Sequence, residues 1–223
     1  MDERVERARQ RYERAVFDGD AAPLAEADRE LDAAEADIAL ARGRVRHARF
    51  LQQRDRDPEG VTEPPGELAL FERAAQLYRE LGDQRGEAES VFWIGCFHQI
   101  VRRDNAVAVP VLDRALELAA AAGDKPTMAE VLRHLGIAAH AAGQLDQARA
   151  RLEESTGLRR EAGQLPGVAA NLVGLAYIAA GQGRRDDALA ALAEAADLAV
   201  ASGARRILDS VAEARAALAG QSS

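Results

Sequence analysis

Apolar and polar residues follow a helical period along most of this chain, and one amphipathic pattern returns about every forty residues. Four glycines close similar runs: Gly82 in YRELGD, Gly123 in LAAAAGD, Gly163 in LRREAGQ and Gly203 in LAVASGA. Each has the place of the left-handed residue that ends a helix, a conformation glycine adopts without steric cost. Pro126 and Pro166 follow two of them, as expected after a helix stop.

A second glycine lies inside each repeat: Gly95 (FWIGCFH), Gly136 (RHLGIAAH) and Gly174 (NLVGLAY). A helix-interior glycine costs about 1 kcal/mol against alanine. Its recurrence at one phase implies a place where two helices approach too closely for a Cβ. A polar turn follows, then a second apolar run in which Ala108/Ala115, Ala148/Ser155 and Ala188/Ala195 are two turns apart on one face. The pattern predicts antiparallel helix pairs at 87–101 with 105–122, 127–141 with 145–162, and 167–180 with 185–202. A last helix over 205–219 has one apolar and one charged side, as a capping helix should.

The first third is less regular. A short charged helix is expected over 2–17 and a long one over 22–52. In the long one Leu24, Leu31, Ile38 and Val45 recur every seven residues, with Ala27, Ala34, Ala41 and Ala48 between them. This seam either packs against helices 2–17 and 67–81 or pairs with another chain. Residues 53–66 (QRDRDPEGVTEPPG) read as a mobile connector.

Composition narrows the class. Fifty of the 223 residues are Ala, nine are aromatic, and Lys125 is the single lysine. Ala favours helices and disfavours strands, so an all-α fold with closely packed helices is expected. The net charge of −8 argues against a nucleic-acid partner. One cysteine points to a reducing compartment, and no apolar run approaches the ~20 residues of a membrane span. The charged N-terminus lacks the apolar stretch of a signal peptide. A soluble, cytoplasmic chain with no membrane contact is expected.

These residues resemble the tetratricopeptide repeat family in a long, bacterial form. The family's Leu-Gly pair with an aromatic three residues on is matched in parts: Leu135-Gly136 has Ala139 in the aromatic place, Gly174 has Tyr177, and Ile94-Gly95 has His98. The family's small residue early in the second helix matches Ala108, Ala148 and Ala188, and the large residue four later matches Leu112, Leu152 and Leu192. The match runs from about residue 66 to 203 and is partial from 29 to 65. The resemblance implies one domain over 1–223, a right-handed superhelical solenoid of antiparallel helix pairs. It would have irregular N-terminal helices and a C-terminal cap. It also implies a concave groove, lined by the first helix of each pair, that binds a peptide or partner protein.

In that fold, groove-facing places fall three and two residues before the repeat glycine and one and four after it. They select Phe92, Trp93, Cys96 and Gln99; Arg133, His134, Ile137 and His140; and Asn171, Leu172, Leu175 and Ile178. If Gly43 plays the same part, they also select Leu40, Ala41, Arg44 and His47. His98 lies one turn away. The binding candidates are therefore Phe92, Trp93, Gln99, Arg133, His134, His140, Asn171, His47 and His98. Arg133 would pair with a carboxylate, the aromatics would stack on apolar groups, and His and Asn would orient the ligand, whether peptide, protein or small organic molecule. A core role competes for each of these His and aromatic residues.

A second reading is a cofactor-independent enzyme with His134 or His140 as acid or base and Arg133 as anion stabiliser. Six residues turn about 600°, 240° past a full turn, so His134 and His140 point to different sides of an ideal helix; no paired metal-ligand spacing appears, so no metal and no cofactor are expected. The dyads Arg102-Arg103, Arg159-Arg160, Arg184-Arg185 and Arg205-Arg206 would either compensate helix dipoles or clamp a partner's carboxylates. A homodimer is compatible with the alanine-rich seam.

Overall fold

The computed structural model describes residues 2–220, and these form an all-α chain of antiparallel helix pairs. They pack as two compact units, one up to Ala122 and one from Gly123. The first holds α1 (Glu3–Phe17), α2 (Leu24–Arg56), α3 (Glu67–Leu81), α4 (Gln84–Ile100) and α5 (Asn105–Ala121). The second holds α6 (Lys125–Ala141), α7 (Leu145–Glu161), α8 (Leu165–Gly181), α9 (Arg185–Ser202) and α10 (Arg205–Gly220). From α3 onward, each helix end lies within three residues of the place the periodicity assigns it.

Local chemistry accounts for those ends. Gly82, Gly123, Gly163 and Gly203 take φ of +74°, +63°, +67° and +68°. Gly143 and Gly183 do the same in the turn within a pair, whereas the first such turn carries Arg103 at φ +55°. Asp83 caps α4 by accepting from the Arg85 and Gly86 amides, and Asp104 caps α5 by accepting from Val107 N.

The interior glycines sit where the pairs touch. A Cβ at Gly95 would lie 2.7 Å from Leu112 Cδ2, and one at Gly136 would lie 3.0 Å from Leu152 Cγ and 3.3 Å from the Ala148 carbonyl oxygen. At Gly174 the neighbour is again Leu152, at 3.0 Å. Leu112, Leu152 and Leu192 are fully enclosed, and burying each contributes about 1.5–3 kcal/mol. Gly43 has the same role in α2, where the Phe71 ring fills the space a Cβ would need.

Helix α2 corrects one expectation. It packs on α3 through Ala36, Ala39, Leu40, Gly43, His47 and Phe50, while Ala27 and Ala34 are buried on the side facing α1. The larger apolar residues Leu24, Leu31, Ile38 and Val45 stay 37–51% exposed, so of the seam only Ala27 and Ala34 are packed within the chain. Helix α1 buries no residue. Ion pairs hold it on α2: Arg4 with Asp37 at 2.7 Å, Arg7 with Glu30 at 3.1 Å and Arg11 with Glu30 at 2.6 Å.

The connector is shorter than expected, because α2 runs on to Arg56. Arg46 donates to the Pro65 carbonyl, and Arg102 pairs with Glu63 at 2.9 Å. No helix among the described residues is long and apolar enough to cross a membrane.

Candidate functional site

In the first unit, α2, α3 and α4 bring an aromatic–imidazole cluster together. His47 Nδ1 lies 2.9 Å from Glu67 Oε1, and its Nε2 lies 3.8 Å from Cys96 Sγ. His47, Glu67 and Cys96 are all buried. With Glu67 ionised, Nδ1 carries the proton and donates to it, leaving Nε2 to accept from the thiol. Trp93 is half-buried over this group. Its ring stacks on Phe71 at 5.5 Å and meets His47 edge-on at 5.4 Å and Phe92 edge-on at 5.2 Å. Arg44, ion-paired with Glu89, places its guanidinium carbon 5.7 Å above the Trp93 ring centre. Two enclosed polar atoms here lack a hydrogen-bond partner, the donor Trp93 Nε1 and the acceptor Glu67 Oε2.

The other first-unit candidates are placed differently. Phe92 is buried beneath Trp93, so it supports that ring from below. Gln99 is buried and donates to Asn105 Oδ1 at 3.1 Å, linking α4 to the start of α5. His98 is half-buried, its ring 5.9 Å from Phe97. Burial and the nearby Arg102 charge hold its pKa below the ordinary histidine value.

The second unit gathers a polar relay. Arg133 Nη1 donates to Asn171 Oδ1 at 2.8 Å. Asn171 Nδ2 donates to Ser155 Oγ at 2.8 Å, and Ser155 donates to the Ala129 carbonyl at 2.6 Å. Asn171 and Ser155 are fully buried, so the chain of bonds ties α6, α7 and α8 while satisfying every polar atom it uses. Asn171 therefore positions Arg133 and does not reach the surface itself.

Arg133 is the half-buried end of this relay. Burial, and after it the charge of Arg159, lower its pKa from the guanidinium value. Arg159 lies 2.7 Å from Glu130; among the described residues Arg133 makes no ion pair, and the Glu130 charge only partly offsets the lowering by burial and Arg159. It lines a cavity of about 230 Å³ with Val173, Gly174, Tyr177, Ile207 and Ser210. His134 is half-buried and His140 exposed on the same helix, α6, and neither lines that cavity.

Sequence spacing selected Arg133 and Asn171 but missed their surroundings. Tyr177 was visible as the family's aromatic, yet not as a cavity wall. Ile207 and Ser210 come from α10, whose spatial place no repeat spacing encodes. Glu67 lies twenty residues from His47 and carries no motif. Members of three arginine dyads are engaged within the chain: Arg102 with Glu63, Arg159 with Glu130, Arg160 with Glu194 and Arg184 with Asp187. Among the described residues, no group of three or more His, Cys, Asp or Glu could hold a metal ion.

Residues 100–161 match the family model for the tetratricopeptide repeat. No curated protein matches the sequence. Among solved structures, the crystal structure of BtubC (BKLC) from P. vanneervenii is similar at 17% identity and a TM-score of 0.50, covering 91% of this chain and 92% of that one. At that identity the likeness is one of fold. The match to the tetratricopeptide repeat over residues 100–161 and the run of antiparallel helix pairs make this chain an all-α helical-repeat protein with tetratricopeptide-repeat sequence in its middle part.

Proposed function

We propose that this chain is a protein-binding module whose second unit takes a carboxylate of a peptide or partner protein at Arg133. The observation that carries the reading is a half-buried guanidinium, held by Asn171 and without an ion pair among the described residues, opening on a cavity walled by Val173, Tyr177 and Ile207. An unpaired cation in an apolar setting favours an anion strongly, and a guanidinium fork matches a carboxylate bidentately. Asn171 holds the fork in place, and Tyr177 offers an aromatic face for the residue beside the carboxylate. His134 and His140, farther along α6, would contact the flanking peptide. Trp93 with Arg44 above it offers a second contact surface in the first unit.

The test is fluorescence anisotropy against an array of peptides ending in a free carboxylate, each paired with its amide. The acids bind and the amides do not. Arg133→Gln keeps a donor for Asn171 but loses the charge, and weakens acid binding by roughly 10- to 100-fold, the worth of a hydrogen bond to a charged group. Equal binding of acids and amides, or an unchanged Arg133→Gln, refutes the reading. A small molecule retained through native mass spectrometry would instead favour a small-ligand carrier or an enzyme.

A further inference from the structure

We propose that the α1–α2 hairpin is a dimer interface, on which a second copy of this chain docks with its α2 antiparallel to the first. Arg7 and Arg11 meet Glu30 along one flank of the α1–α2 contact. By helical phase, Val5, Tyr12 and Val16 lie on the opposite flank of α1, and Leu24, Leu31 and Ile38 on the opposite flank of α2. These six share one side of the hairpin, and all are exposed. With Val45 they make seven large apolar side chains that stay 37–58% exposed. A solvated helix pair has no use for such a face, and α1 buries nothing against its own chain.

Charge selects the occupant and its direction. Beside the Leu24–Val45 line runs a second heptad line, Asp28, Glu35, Arg42 and Arg49. It is acidic in the first half of α2 and basic in the second. An antiparallel copy, with its two-fold axis near the middle of α2, sets Asp28 against the second copy's Arg49 and Glu35 against its Arg42. In a parallel two-fold pair this line would lie across the seam from its symmetry mate, and these charges would not meet. Asp28, Arg42 and Arg49 have no ion-pair partner among the described residues, and Glu35 meets Arg73 in an exposed pair. The same register explains an asymmetry in α2. Ala27 and Ala34 are covered on the α1 side, whereas Ala41 and Ala48 lie past the start of α1 and are exposed. The second copy's α1 lies beside the first half of its own α2, and so comes level with that gap. Such an interface is self-complementary, as two-fold symmetry requires.

The test is light scattering on a size-exclusion column, with sedimentation across the micromolar range, on the full chain. The expected mass is twice 23.9 kDa. Leu31→Asp with Ile38→Asp gives a monomer with unchanged helical circular dichroism. Arg49→Asp places like charges at two symmetric contacts and weakens the dimer about tenfold. Adding Asp28→Arg to it restores the pairing with both signs exchanged, a recovery that a merely structural role for either residue would not give. A wild-type monomer, a dimer that survives the Leu31/Ile38 pair with the fold intact, or a double swap no better than Arg49→Asp alone each overturns the proposal. So does a monomer that instead captures a different protein on this face.

Discussion

Gly95→Ala adds one methyl group where α4 touches α5. In an open helix this substitution stabilises by about 1 kcal/mol, because alanine is the better helix former. Here the new carbon would stand 2.7 Å from Leu112 Cδ2 and 2.8 Å from Leu112 Cγ. Leu112 is fully enclosed, so its side chain has no free volume into which to turn. Overpacking of this kind costs about 1–3 kcal/mol. The net expectation is a loss of up to ~2 kcal/mol, lowering the melting temperature by about 2–4 °C for each kcal/mol in a chain of this size. Thermal circular dichroism measures it. Leu112→Ala alone loses about 2–5 kcal/mol. In the double variant the added methyl occupies part of the space Leu112 vacates, so the combined loss is smaller than the sum. A Gly95→Ala protein that melts at or above the wild type refutes the close-approach reading, as does strict additivity with Leu112→Ala.

Gly157, helical and exposed in α7 with nothing within 4 Å of a Cβ, is the control: Gly157→Ala raises stability by about 0.5–1 kcal/mol in the same melts. Gly143 also has open space but sits at φ +74°, so Gly143→Ala loses about 1 kcal/mol for conformational reasons alone. Asn171→Ala removes the link between Arg133 and Ser155 and loses about 1–3 kcal/mol by chemical denaturation, while Asn171→Asp retains an acceptor for Arg133. His98 titrates below 6.5 by NMR, and Arg102→Gln moves it upward, since Arg102 adds to the effect of burial. The folded state therefore binds fewer protons at His98 than the unfolded one. Stability rises with pH through this interval, and the contribution is lost on acidification below the ordinary histidine range.

The repeats were legible in the chain because their causes are local. A helix end needs a residue that accepts positive φ, and Gly82, Gly123, Gly163 and Gly203 mark those places without reference to the rest of the molecule. The contact between paired helices was legible too, since a glycine recurs at one phase of each first helix, at Gly95 and Gly136, and a large leucine recurs in each second helix, at Leu112 and Leu152. Arg133 and Asn171 came from the same spacing.

Tertiary structure decided what spacing leaves degenerate. In α2 the exposed line carries Leu, Ile and Val, while the buried face is mostly Ala with Gly43. Hydrophobicity alone picks the larger residues as the packed seam; the close approach of Phe71 to Gly43 picks the other face. Phe92, Gln99 and Asn171 were expected to face a groove, yet all three are buried. The Glu67 partner of His47 and the α10 wall of the Arg133 cavity join residues with no common register. Helix periodicity records which residues share a face, and a helix has more than one face that can be apolar. Which one is buried depends on the shape of what packs against it, and that shape exists only once the helices have met.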